Sequence, residues 1–240
     1  MADSEKSFAD RVQKTTSLLA AATGFTPTYT PADILFSLTT VTTKNTAAET
    51  ANNNVAAALS TWSTAVQQRL AQSDLIKARA TMLINYIKSN TAWKTQAVRA
   101  KQLADAIRNI KIARKTTPPA APGTPAAAAP RQRGGQSYAE IEQNWRSLVS
   151  LATSLPGYAP PITNTNLQTL NLTLTVTTMA TLNDTIATTE EALSNIRQQR
   201  LDTYFGPDGL AVKFAGLKQA IKGQYGPSSA QWTQVKGLKW

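Results

Sequence analysis

A chain of 240 residues is long enough to bury one or two hydrophobic cores. Its 42% hydrophobic content suits a globular protein rather than a disordered one, although charged residues, at 16%, are sparse. It has no cysteine and no histidine, which excludes disulfides, thiolate metal sites and the commonest general base, and its formal net charge of +11 raises the question of an anionic partner.

Carboxylates, lysines, tyrosines and hydroxyls remain for catalysis, but the fourteen acidic residues are scattered rather than paired. The expectation is therefore a non-enzymatic protein with no catalytic residue, no cofactor, no metal and no small-molecule substrate. The N-terminus, M-A-D-S-E-K-S-F-A-D, has no basic stretch leading into an apolar run, so a cytoplasmic address is expected.

In chain order, 7–22 reads as an amphipathic helix that ends at a proline-containing turn. A long helix is expected over 32–71, with Leu38, Val41, Val55, Leu59, Trp62 and Val66 recurring at helical spacing; at 1.5 Å per residue it would run about 60 Å. Helices at 74–88 and 93–114 follow. The segment 115–137 contains five prolines and three glycines and reads as a linker. Beyond it, 138–154 is amphipathic and 163–204 is a second long helix. Leu170, Leu172, Leu174 and Val176 alternate with polar residues, so a strand over 170–177 stays open as the alternative. G-P-D-G at 206–209 makes a turn before a helix at 210–224, and the chain ends in G-P-S-S-A-Q-W-T-Q-V-K-G-L-K-W.

Much of this is written twice. Ser17-Leu18-Leu19 matches Ser147-Leu148-Val149 at an offset of 130, and Tyr29 and Pro31 match Tyr158 and Pro160 at 129. Asn52 falls on Asn183, Val55 on Ile186, and Arg69-Leu70 on Arg200-Leu201 at 131. Later, W-K-T-Q-A-V from Trp93 echoes W-T-Q-V from Trp232. The expected architecture is all-α: two tandem, internally duplicated antiparallel helical bundles with long central helices. Their expected boundaries are 1–115 and 137–240, with 116–136 as the Pro/Ala-rich linker. Asn52, Asn183, Arg69 and Arg200 are then repeat-equivalent residues with structural roles. Each asparagine would be held by a partner that sets helix register, and each arginine would cap the end of its helix. The mid-helix asparagine, the arginine near the helix end and the V-K-G-L-K ending resemble a set of uncharacterised bacterial tandem-repeat helical proteins of unknown function; the resemblance covers most of the chain and implies no activity.

Charge is unevenly placed. Between Lys77 and Gln136 there are twelve basic residues and one acid, Asp105, while the rest of the chain balances. The helix at 93–114 puts Leu103, Ile107 and Ile110 on one face and Lys101, Arg108 and Lys111 on the other. A sequence-independent nucleic-acid surface would draw on Arg99, Lys101, Arg108, Lys111, Arg114, Lys115, Arg131 and Arg133. An anionic membrane surface and a merely solvated face are the competing readings, and no membrane span is expected. Trp93 would be a base-stacking platform or, since it recurs as Trp232, a repeated core contact. Conversely, 147–183 holds no charged residue, and 45–68 carries only Glu49. Such neutral helix surface suits burial against another domain or subunit, so a homo-oligomer or larger assembly is expected; plain exposure of neutral polar residues is the alternative.

Overall fold

In the structure, a computed structural model, residues 3–108 and 137–240 are described. Seven α-helices occur among them: α1 (Asp3–Thr23), α2 (Leu38–Ser89), α3 (Lys94–Ile107), α4 (Tyr138–Thr153), α5 (Thr169–Phe205), α6 (Leu210–Tyr225) and α7 (Ala230–Val235). There is no strand among the described residues, so the fold is all-α, and none of these helices is long and apolar enough to cross a membrane. The expected linker 116–136, with Lys111, Arg114, Lys115, Arg131 and Arg133, lies outside the described residues.

Three points bear on the sequence reading: the first agrees with its helix over 163–204 and removes the strand alternative, and the other two are boundaries that depart from it. The alternating segment 170–177 is helical within α5. Its threonines are reconciled with the helix by bonding back along it, from Thr175 Oγ1 to the Asn171 carbonyl at 2.7 Å and from Thr178 Oγ1 to the Leu174 carbonyl at 2.8 Å. The period-two pattern resolves into Leu172, Val176 and Met179 inside and Leu170 and Leu174 outside. Second, the helices expected at 32–71 and 74–88 are one helix, α2, because Gln72-Ser73-Asp74-Leu75 contains neither glycine nor proline. In the second half G-P-D-G breaks the chain after Phe205, and a Cβ on Gly209 would stand 2.7 Å from the Tyr204 carbonyl oxygen. Third, both long helices begin later than expected, after a short 3₁₀ turn: Ile34–Phe36 in the first half and Thr165–Leu167 in the second. Asp33 caps the first of these by accepting from the Leu35 amide at 2.8 Å.

Grouped by packing, the chain forms two compact units: Met1–Ser63 with Thr188–Trp240, and Thr64–Ala187. Each takes helices from both halves of the sequence, so the compact units and the sequence repeat divide the chain differently. The first unit holds α1, α6, α7 and the 38–63 and 188–205 portions of the long helices. Its main core gathers Leu18, Phe25, Val41, Phe214, Leu217 and Ile221. Asp208, from the G-P-D-G turn, ties this unit together by pairing with Lys44 of α2 and the buried Lys213 of α6, each at 2.5 Å. The hydrogen bond from Lys213 and then that from Lys44 hold the Asp208 carboxyl down to about 2.

The second unit holds α3, α4 and the 64–89 and 169–187 portions of the long helices, around Ile76, Leu83, Ile87, Trp145, Leu148 and Leu172. Trp93 is buried there, with its indole N–H donating to the Pro156 carbonyl at 3.1 Å and its ring against Tyr86 and Tyr158. A base cannot stack on it.

The turns before the long helices are built alike. Tyr29 donates to the Phe36 carbonyl at 3.1 Å, and Tyr158 to the Leu167 carbonyl at 2.7 Å. Both phenols are raised from 10.0 to about 12, chiefly by burial, with a smaller contribution from a neighbouring tyrosine, Tyr225 for Tyr29 and Tyr86 for Tyr158. A group with a raised folded pKa stabilises fully below its unfolded value and loses that contribution as pH climbs through the folded one. Urea-unfolding midpoints are therefore expected to fall between pH 10 and 12. The Tyr29→Phe, Tyr158→Phe variant should start lower, by about 1 kcal/mol per lost hydrogen bond, and fall less steeply; an identical slope in the variant would rule the tyrosines out as the cause.

Candidate functional site

Side chains and main chain from three helices of the second unit converge on Arg69. Its side chain is fully buried, within α2. Its Nε donates to Asn183 Oδ1 on α5 at 2.6 Å, one terminal nitrogen donates to Ser73 Oγ one turn further on, and the other donates to the Tyr138 carbonyl at 3.1 Å. The guanidinium also lies over the Tyr138 ring, 4.8 Å from its centroid. Asn183 completes the link by donating through Nδ2 to Glu142 at 2.7 Å, and Glu142 pairs with Arg146 at 2.8 Å. Burial pushes the pKa of Arg69 below the usual arginine value, and Tyr138 and then Glu142 oppose that shift. The capping role expected of Arg69 does not hold, because α2 runs on to Ser89 and the guanidinium bonds across to other helices instead.

The first unit contains a related arrangement. Arg200 of α5 is buried with its guanidinium over Phe8, 4.1 Å from the ring centroid. Asn52 of α2 donates to the hydroxyl of Tyr204 at 2.8 Å, and that hydroxyl donates to the Phe8 carbonyl at 3.0 Å. Desolvation raises the Tyr204 phenol, with the hydrogen bond from Asn52 opposing it. Phe8 and Tyr138 stand 130 apart in sequence, and Ser73 and Tyr204 stand 131 apart, the same offsets as the sequence repeat. The partners of the asparagines and arginines were therefore legible by extending that register, but no motif marked them. Both arrangements join side chains with main chain and leave no pair of acid and base facing a cavity.

The basic residues are sorted by the fold. Asp105 of α3 is 8% exposed and is met by Lys101 at 2.5 Å and Arg108 at 2.6 Å. The Lys101 bond, ahead of the Arg108 bond, holds its carboxyl below the usual range, against the effect of burial. Arg108 also reaches Thr81 Oγ1 at 3.4 Å. Arg99 is exposed on the outer side of α3. Of the eight basic residues picked out as a nucleic-acid surface, these three are described, and two of them serve Asp105.

Two grooves open in the first unit. One, of about 430 Å³, is lined by Thr43, Thr46, Thr50, Asn54, Arg200 and Thr203. The other, of about 610 Å³, is largely apolar, with Pro31, Phe36, Gly216, Ala220 and Gly223 in its walls. Gly216 lets the Phe36 ring lie close against α6, since a Cβ on it would fall 2.0 Å from a ring carbon and the ring would have to move. Compared with known proteins, the chain matches no family model, no curated protein and no solved structure.

Replacing Arg69 tests whether the convergence holds the second unit together. Arg69→Met leaves the Asn183 oxygen, the Ser73 hydroxyl and the Tyr138 carbonyl without their donor, for an expected loss of roughly 2–4 kcal/mol in urea unfolding. Arg69→Lys keeps the charge but not the planar fork and should fall between. An unchanged midpoint for Arg69→Met would show that the arginine contributes nothing net.

Proposed function

We propose that the chain is a non-enzymatic helical scaffold, internally duplicated, that associates with a second copy of itself. The observation that carries this is an apolar stripe on the outer side of α5 in the second unit. Leu170 is 80% exposed and Leu174 is 60% exposed, and the stripe continues through exposed Thr177 and Thr181. The four positions are spaced four, three and four apart, the spacing at which one helix presents a seam to another. Thr177 donates its hydroxyl back to the Leu174 carbonyl at 2.9 Å, so that hydroxyl is satisfied along its own helix. Ile162, 86% exposed, adds apolar surface in the turn before the helix.

Charge favours a copy of the same chain as the occupant. The net charge of +11 lies between Lys77 and Gln136, whereas 147–183 carries no charge at all, so two copies can meet along this stripe without bringing like charges together. A self-complementary stripe closes about a two-fold axis. The side chains involved are few, so the interface is small and the association should be in the micromolar range or weaker. The missing histidine and cysteine support the non-enzymatic part of the reading.

The repeat supplies a conservative variant. Thr39 and Thr43 stand at the positions that match Leu170 and Leu174, and helix is compatible with threonine there. Sedimentation velocity from roughly 10 to 100 μM should show the parent associating and the Leu170→Thr, Leu174→Thr variant remaining at 25.8 kDa with the same thermal transition. A parent that stays monomeric throughout this range at low and high salt, or a variant that associates as the parent does, would overturn the proposal.

A further inference from the structure

We propose that the outward face of α3, with the last turn of α2, is a phosphate-backbone contact surface for nucleic acid, built on Lys88, Lys94 and Arg99 with Lys101 at its edge. Between Lys77 and Arg108 lie seven basic residues and one acid, and the structure separates those that serve the fold from those that face outward. Lys77 pairs with Asp74 at 2.9 Å. Arg79 donates to the Asn171 carbonyl and to Thr175 Oγ1, both at 3.1 Å. Arg108 is held on Asp105 and Thr81. Lys88, Lys94 and Arg99 are exposed, and among the described residues none of the three has an ion-pair partner.

Among the described residues, no acid on α3 or α4 is free to cancel their charge. The single acid of the segment, Asp105, is buried under two cations, one of which, Lys101, keeps 56% of its side chain exposed. The helix packed against α3 is α4, and its two acids are engaged: Glu140 accepts from the Ser137 amide at 2.9 Å, and Glu142 accepts from Asn183 and Arg146.

The geometry suits a strand of phosphates. α3 buries Ala97, Ala100, Ala104 and Ile107, which turns Lys94, Val98 and Lys101 outward in one row, with Arg99 on the other flank of the exposed side, about 100° around the helix from Val98. Lys94 and Lys101 are about 10 Å apart along the helix axis, which matches about three base-pair rises of 3.4 Å measured along a duplex axis. Contacts of this kind position the chain on a backbone without reading bases. An anionic membrane fits less well: a helix that lies in a lipid interface needs a broad free apolar face, whereas that of α3 is covered by α4 and its outer row offers only Val98, 62% exposed.

The experiment is fluorescence anisotropy with labelled DNA of about 20 nucleotides, single-stranded and duplex, titrated from 50 to 200 mM salt. The proposal is independent of self-association, so the series is run in the parent and repeated in the Leu170→Thr, Leu174→Thr background. The expected result is binding by the parent that weakens about tenfold or more across that range, and a Lys88→Gln, Lys94→Gln, Arg99→Gln variant at least about tenfold weaker, with a salt slope reduced by roughly 2 to 3. A variant that removes the same charge elsewhere, Lys14→Gln, Lys236→Gln, Lys239→Gln, should keep the parent's affinity. The proposal is overturned if the parent shows no salt-dependent binding, if the two triple variants lose affinity equally, or if the protein binds phosphatidylserine vesicles and not DNA.

Discussion

A fully buried guanidinium is the constraint around which the second unit is organised. Removing an arginine from water is costly, and the cost is offset only where acceptors meet its fixed fork of donors. Arg69 finds three acceptors, on α2, α5 and α4, together with the face of a tyrosine ring. A slip of α5 by one residue along α2 would carry Asn183 out of reach, and a shift of α4 would remove the Tyr138 carbonyl. The arginine thus makes register a matter of hydrogen-bond geometry. In long helices lined by alanine, threonine and serine, shape alone discriminates poorly between one register and the next.

The first unit meets the same requirement with different atoms. Tyr204 stands where the repeat places Ser73, and Phe8 where it places Tyr138. The link from α2 to α5 there runs through the Tyr204 hydroxyl and ends on the Phe8 carbonyl, while the buried Arg200 rests against the Phe8 ring. An arginine over an aromatic ring and an asparagine joining the two long helices occur in both units. What differs is the hydroxyl between them: short on Ser73, where the guanidinium reaches across, and long on Tyr204, where the phenol does.

The all-α class was legible because alanine-rich helical spacing in the first half overrode the alternation at 170–177 in the second. Asparagine and arginine were legible as repeat-equivalent positions; their partners lie in the same register, but no motif marked them as partners. A helix-end arginine suggests capping only if the helix ends there, and that depends on the absence of glycine and proline over 72–75, a weaker mark than the G-P-D-G of the second half. The grouping of helices into units was not legible at all. Core stripes show which face is buried, not what covers it; the 38–63 part of α2 packs with the end of α5, and the 64–89 part with its beginning.

Charge placement follows from the same construction. Neutral residues on the long helices allow close approach between helices, and threonine hydroxyls that bond back along the helix, as at Thr43, Thr50 and Thr61, let those surfaces meet water without charge. The cost is solubility, because a neutral face with exposed leucines is prone to association. A chain built this way must carry its charge elsewhere, and it does so on α3 and in the segment that follows. Since Asp105 is buried and already paired, additional lysine and arginine on α3 raises the surface potential without disturbing the core. A neutral face with exposed leucines and a face of exposed lysine and arginine therefore coexist on one unit.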